Sequence, residues 1–391
     1  MKMKGLVVEH AGGPFVLREL ELDQPQQDEI RVRIDAVGVC HTDIGVAAGY
    51  LPNLRFPVVL GHEGAGVVEA IGSAVQDIRI GDHVVLCGPR CGRCRWCARG
   101  EPAYCEHADS LVFGCARSDG STALRTVVER SSGNSDAVAG TTVASHFFGQ
   151  SSFATHVIAP SVAAVRIADD IPLVLAAPLG CGVATGWGTV VKHLAVQPGD
   201  SVVVIGAGGV GMAAVCGAAV VGAGMIVALD PVAGKRELAL ALGATHVFDS
   251  TAVSTADAVS TANAVSMVAA VRDATHGGAD HVVCTVGDPG VVADAVAMAG
   301  RRGTVVLIGG SPPGSQVSID ANDVLFQGKR IHGVRMGDLV ARTDIPALVD
   351  AWRAGRLPLE RMITTAPLAS IDEAISRVHR GDAVKAVLLP Q

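Results

Sequence analysis

Apolar residues recur along the chain in two rhythms. The first is short: Gly5-Leu6-Val7-Val8, then Glu29 to Val37 with polar and apolar residues alternating, then Ala65 to Gly72, then His83-Val84-Val85-Leu86. A period of two turns every second side chain to one face of a strand, and strands this short, punctuated by glycine, predict a small β-barrel-like unit. The second rhythm begins at Ser201-Val202-Val203-Val204-Ile205, apolar throughout like a strand buried on both faces, and continues into an Ala-rich helical stretch ending near Val221. Further strands at Met225–Leu229, His246–Phe248, His281–Val286 and Thr304–Ile308 alternate with helical segments, the pattern of a doubly wound parallel sheet. After Gly333 the pattern changes again, through a helix around Ile345–Trp352 to a last strand near Ala386–Leu389, which is expected to return and complete the first unit. The predicted class is therefore α/β, with a catalytic domain of residues 1–182 and 335–391 surrounding a dinucleotide domain of residues 183–334.

Three stretches stand outside this scheme. Ser118 to Ser145 is polar and reads as a surface excursion, and a six-residue tandem at 252–266 reads as a duplicated surface insertion. Phe147-Phe148-Gly149-Gln150-Ser151-Ser152-Phe153 gathers three of the eight phenylalanines, either as a hydrophobic staple of the barrel or as the lining of a pocket.

Composition narrows the choice. At 391 residues the chain exceeds what one core fills, so two domains are expected. An apolar share of 49% with 47 glycines and only 3% aromatics suits a Val- and Ala-rich α/β protein, and a net charge of −7 leaves no basic surface for nucleic acid. The opening apolar run is too short for a signal peptide and no uninterrupted apolar span has membrane length, so a soluble cytoplasmic protein is expected. In that setting ten cysteines point to metal ligation rather than disulfides.

Four of them, Cys91, Cys94, Cys97 and Cys105, fall within fifteen residues and would close a tetrahedral thiolate shell around a structural zinc; a reduced, metal-free cluster is the plainer alternative. Cys40, in Val39-Cys40-His41-Thr42-Asp43, follows the alternating strand, so its neighbours open the next turn or helix, while His62 lies in the glycine-flanked Gly61-His62-Glu63-Gly64. With Cys181 they form a Cys₂His set, whose fourth position stays open for substrate as in a catalytic zinc site. Taken singly, each cysteine is an ordinary small core residue and His62 an ordinary turn histidine. Cys87, Cys115, Cys216 and Cys284 are read as small buried residues.

Gly206, Gly208, Gly209, Val210 and Gly211 lie in the GxGxxG turn between strand and helix, where free N–H groups and the helix dipole favour a pyrophosphate. Asp230 ends the next strand, at the spacing of an acid that binds the adenosine ribose and disfavours a 2′-phosphate, so NAD is expected over NADP; its bland alternative is a helix N-cap ahead of Pro231. Lys235 is either a further ribose contact or a solvated lysine.

With these motifs in this order, nearly the whole chain resembles the zinc-dependent medium-chain alcohol dehydrogenases, a GroES-like barrel joined to a Rossmann domain. Phe147 to Ala154 and Gly333-Val334-Arg335-Met336-Gly337-Asp338 look like the aryl-alcohol, or benzyl-alcohol, branch. The resemblance implies that Cys40, His62 and Cys181 bind a catalytic zinc, that Asp43 orients His62, and that Glu63 eases ligand exchange. It assigns Thr42 to the substrate proton, His41 and Lys385 to the pyrophosphate, Thr185 to the nicotinamide, Ile308 to the cofactor site, and Cys87, Phe147 and Phe148 to the substrate pocket. Cofactors would be NAD and two zinc ions, and the partners a small alcohol or aldehyde and further copies of the chain, as a dimer or tetramer. Many relatives end the proton relay on a histidine where this chain has Gly45, so the proton would leave through the ribose to water or through His41. Two other readings compete: a thiol-dependent formaldehyde dehydrogenase, for which Arg335 is the only obvious cleft cation, and a non-catalytic zinc module, which the negative charge and intact ligand set oppose.

Overall fold

The computed structural model describes residues 1–51, 53–127, 140–251 and 266–390. The tandem expected to form a surface insertion falls, but for its last residue, outside the described residues, as do positions 128–139 of the polar excursion. What is described of that excursion is sheet at both ends: Leu124–Thr126 pairs with Phe15–Leu22 and with Thr142–Val143.

The strand Glu29–Gly38 is the spine of the first unit. It pairs antiparallel with Gly64–Ile71, with His156–Pro160 and, at its far end, with the C-terminal strand Lys385–Leu389. The tail thus returns to the sheet that leads into Cys40. A second sheet holds Lys2–Val8 and Phe15–Leu22. The strand Phe15–Leu22 was not legible in the pattern because Arg18, Glu19 and Glu21 break its apolar run, and only Leu20 and Leu22 turn inward. Between the sheets Leu6, Ile30, Ile34, Phe147 and Phe153 are fully buried.

Among the described residues six parallel strands form the other unit, in the spatial order His246–Phe248, Met225–Leu229, Ser201–Ile205, Ala279–Cys284, Ala299–Leu307, Arg330–Gly333. The order reverses beside Ser201–Ile205, and ligands of such sheets sit at the carboxyl ends of the strands there. The edge strand Arg330–Gly333 is exposed along its length and so has no alternation to read. The expected strand over His281–Val286 ends at Cys284, since the Thr285 hydroxyl turns back to donate to the Ile205 carbonyl.

A short helix, Gly182–Gly188, welds the two units. It crosses the helix Gly209–Val220 so closely that a Cβ at Gly186 would lie 1.9 Å from the Val210 carbonyl oxygen. The residue before this helix is Cys181, so the third sulfur of the expected ligand set is anchored to the glycine-rich turn. Among the described residues no single helix is long and apolar enough to cross a membrane.

Candidate active site

Two carboxylates staple three loops into one site. Cys40 caps the helix His41–Ala47, and the Asp43 side chain reaches back from that helix's first turn to accept from the Cys40 N–H at 3.2 Å. Its other oxygen accepts from the Gly61 N–H at 3.1 Å and lies 2.8 Å from His62 Nδ1. Asp43 therefore fixes Cys40 and His62 together. Glu63 does the same for the third loop, accepting from the Gly182 N–H at 3.1 Å while its second oxygen pairs with Lys385 Nζ at 2.5 Å. Asp43, His62, Glu63 and Lys385 are all buried.

The result is that the donor atoms of Cys40, His62, Glu63 and Cys181 all lie within 4.8 Å of one another. His62 Nε2 is buried with no hydrogen-bond partner among the described residues. A buried polar atom in that state is costly unless something occupies its lone pair, and a metal ion is what a Cys₂His set accepts. The sulfurs tell the same story: a hydrogen bond from Cys181 holds the Cys40 thiol well below its ordinary range, and the same bond, with burial, pushes Cys181 well above it. One proton shared between two sulfurs does what a cation would do better. Burial pushes Glu63 up to about 7, against the pull of Lys385.

Cys91, Cys94, Cys97 and Cys105 form a second cluster, again with all donor atoms within 4.8 Å. The Cys91–Cys97 and Cys94–Cys105 sulfur pairs are each 4.0 Å apart. Zinc–sulfur bonds of about 2.3 Å place the corners of a tetrahedron about 3.8 Å apart, so the cage has the right size. Backbone N–H groups of Cys97 and Glu106 draw the Cys94 thiol down to about 6, whereas burial and the neighbouring Cys94 sulfur push Cys97 up to about 12. The four sulfurs can all be thiolates only around a cation.

Beside the first cluster runs the glycine-rich turn. Gly206 adopts φ of +92°, Gly208 caps the helix, and a Cβ at Gly211 would lie 1.8 Å from the Gly206 carbonyl oxygen, so only glycine closes the turn. Asp230 is buried and braces the turn, accepting from the Ala207 and Val232 N–H groups at 2.9 Å each. The cap of the following helix is Val232, so Asp230 is not its N-cap. Lys385 lays its stem against Gly209 and sends its ammonium to Glu63 and the Val39 carbonyl, linking the turn to the sulfur cluster. Burial is the main cause of the lowered pKa of His41, with His379, Lys385 and Lys235 close enough to add to it. His379, whose ring centroid is 5.9 Å from that of His41, was missed in the sequence; the signal was the basic last turn of Ile371–Arg380 just ahead of Lys385. Thr185 is buried and donates its hydroxyl to the Cys181 carbonyl at 2.7 Å. Ile308 is half-buried just past the end of its strand.

The sequence matches the alcohol dehydrogenase GroES-like domain family over residues 26–169 and the zinc-binding dehydrogenase family over residues 209–353. It is 39% identical to geraniol dehydrogenase of Castellaniella defragrans, over 98% of this chain and 96% of that one. The chain belongs to the zinc-dependent medium-chain alcohol dehydrogenases. The fold agrees: a crystal structure titled as an alcohol dehydrogenase zinc-binding domain protein from Burkholderia ambifaria superposes with a TM-score of 0.90 at 40% identity, covering all of both chains. Benzyl alcohol dehydrogenase from Acinetobacter calcoaceticus does so with 0.89 at 36% identity, covering 100% of this chain and 99% of that one.

In this alcohol dehydrogenase the remaining expected site residues are divided between wall and core. Phe148 stacks on the His62 ring at 4.3 Å, while Phe147 meets that ring edge-on at 5.8 Å and is fully buried in the barrel core. Phe147 thus packs as the staple the sequence suggested, and Phe148 lies beside the metal-site histidine. The thiol of Cys87 donates to the Ala163 carbonyl at 3.3 Å, and burial pushes it up to about 11. The thiols of Cys115 and Cys216 are pushed up to about 12 by burial, and Cys284 is raised for the same reason. Thr42 brings its hydroxyl to 3.7 Å from the Cys40 sulfur. The space where a side chain at Gly45 would begin is taken by the Tyr50 ring, 2.8 Å from that point.

Proposed function

We propose that this enzyme interconverts a primary aromatic or allylic alcohol and its aldehyde by hydride transfer to and from NAD, as a cytoplasmic homo-oligomer with one catalytic and one structural zinc per chain. The observation that carries the reading is the unpartnered, buried Nε2 of His62 facing the sulfurs of Cys40 and Cys181. A zinc ion held by these three side chains would supply a Lewis acid that makes an alcohol oxygen more acidic, as zinc does for bound water.

The rest is the work of the chain. The Thr42 hydroxyl, beside the Cys40 sulfur, is placed to receive the alcohol proton, and with Gly45 in the relay that proton passes on through His41 or the cofactor ribose. Lys235 and Lys385 offer positive charge, and His41 and His379 ring N–H groups, to the pyrophosphate next to the Gly206–Gly211 turn. Asp230 stands where a ribose hydroxyl would bind and its charge opposes a 2′-phosphate. Phe148 gives the alcohol an aromatic face against His62, which suits a flat benzylic or allylic group. We take residues 183–334 as the dinucleotide domain and 1–182 with 335–391 as the catalytic domain, which sets Cys181 at the seam. All ten cysteines are free, as in a reducing compartment. The open edge strand Arg330–Gly333 and the 76% exposed Phe326 beside it supply a surface for a second copy.

The test is an assay of NAD reduction over benzylic, terpenoid and aliphatic alcohols, with zinc counted per chain. Two zinc ions and faster turnover of the benzylic and terpenoid alcohols are expected; equal rates across the panel would overturn the substrate class. His62→Ala is expected to lose turnover and one zinc while still binding NAD, and Asp230→Gly to lose the preference for NAD over NADP.

A further inference from the structure

The segment Arg335–Leu339 joins the edge strand to the helix Ala341–Arg353, and three successive residues in it are left-handed: Met336 (φ 52°), Gly337 (φ 61°) and Asp338 (φ 55°). Non-glycine residues hold such a conformation only where their surroundings impose it. Here the surroundings are visible. Asp338 accepts from the Tyr104 hydroxyl at 2.7 Å with one carboxylate oxygen, has His193 Nδ1 at 2.8 Å from the other, and accepts from Lys192 Nζ at 2.6 Å with its carbonyl. The Tyr104 oxygen in turn accepts from the Arg335 N–H at 3.3 Å. Gly337 presses on the helix Gly182–Gly188, where a Cβ would lie 2.6 Å from the Thr185 carbonyl oxygen.

Both ends of this clamp matter for the site. Tyr104 immediately precedes Cys105, the last sulfur of the four-cysteine lobe, and Met336 lies near Phe148. A Cβ at Gly88 would lie 3.6 Å from the Met336 sulfur and 3.8 Å from the Phe148 ring, so the two side chains flank Gly88, and Phe148 itself lies on His62.

We propose that Tyr104 is a positioning residue for alcohol selection: through Asp338 and Arg335 it makes the four-cysteine lobe hold Met336 as the wall opposite Phe148. The lobe then sets the width of the pocket as well as stabilising its own loop. This rests on reading Cys40, His62 and Cys181 as the site of alcohol oxidation.

The experiment compares the zinc-loaded wild type with Tyr104→Phe, Met336→Ala and the double variant, using benzyl alcohol and 1-propanol and measuring zinc content for each. Losing one such hydrogen bond is expected to lower the benzyl-to-propyl ratio of kcat/KM by about tenfold, mainly through KM for benzyl alcohol. In the Met336→Ala background the same change is expected to have no further effect on that ratio. Equal losses on both alcohols, additive effects in the double variant, or loss of zinc from Tyr104→Phe would each overturn the proposal. If the wild type oxidises neither alcohol, it is the reading of the active site that fails.

Discussion

The ring of Phe148 lies flat on the imidazole of His62, with centroids 4.3 Å and planes 24° apart, and Asp43 holds the same imidazole by its Nδ1 at 2.8 Å. One side chain thus fixes the ring's plane and the other its rotation, and Nε2 is left aimed at the two sulfurs. On the proposed reading, the substrate wall and a metal donor would share one surface.

Replacing Phe148 by leucine keeps the site apolar but removes the stacked face. An aromatic pair contributes about 0.5–1.5 kcal/mol beyond its buried area, so KM for benzyl alcohol is expected to rise by up to about tenfold, with zinc content unchanged. Steady-state kinetics alongside metal analysis checks this, and an unchanged KM would show that the substrate does not use that face.

Asp43→Asn retains the size of the side chain and loses its charge. Partners of this kind typically change metal affinity or activity by about 10- to 100-fold, and Asp43 additionally braces the Cys40 loop, so the upper end is expected. Timed removal of zinc by a chelator should empty the Cys40–His62–Cys181 site of the variant well before the four-cysteine site. Loss of both metals at one rate would contradict the separation of the two sites.

Acid stability should depend on Glu29. Burial alone would raise its pKa, but hydrogen bonds from His146 and Arg117 bring it down from 4.5 to about 2. The folded protein therefore holds fewer protons on this group than the unfolded chain does, and the stabilisation it provides is complete above about pH 5, declines as pH falls and is gone below about pH 2. Glu29→Gln leaves the buried Arg117 with only the more exposed Asp23 as a carboxylate partner and should cost about 3 kcal/mol at neutral pH. It should also flatten the dependence of stability on pH below 5. Urea titrations at several pH values measure both effects, and parallel slopes for the two proteins would rule the mechanism out.

Phe326→Glu tests the proposed contact between copies. Charging a residue that is 76% exposed should leave the monomer's stability within about 0.5 kcal/mol, yet shift the mass in light scattering from oligomer to monomer if this face is the interface. A variant with the mass of the wild type would place the contact elsewhere.

The two side-chain clusters could be read from the chain because metal chemistry constrains residue type so tightly: sulfur and imidazole at Cys40, His62, Cys181 and in the four-cysteine lobe have few other uses together. The parallel sheet was legible for a different reason, since Ser201–Ile205 and Met225–Leu229 are buried on both faces and carry unbroken apolar runs. Strands with one weakly buried face left no such trace, as Phe15–Leu22 and Arg330–Gly333 show. What the pattern could not express were relationships between distant side chains. Nothing local to Tyr104 announces Asp338, and nothing in Gly45 announces that Tyr50 fills the space above it. His379 lies in an ordinary basic helix end, and only the fold brings it to His41.

The strand Lys385–Leu389 has a consequence for how the protein comes into being. During translation it emerges after every strand of the parallel sheet, yet it must lie against Glu29–Gly38, the strand that presents Cys40. The nascent parallel sheet, drawn from neighbouring stretches of chain, can assemble early, while the barrel waits with an unsatisfied edge for a partner made some 350 residues later. On the proposed reading, metal capture by Cys40 and His62 in their final geometry would be deferred until synthesis has passed Leu388, so an arrested chain would carry a finished parallel sheet and an unfinished catalyst.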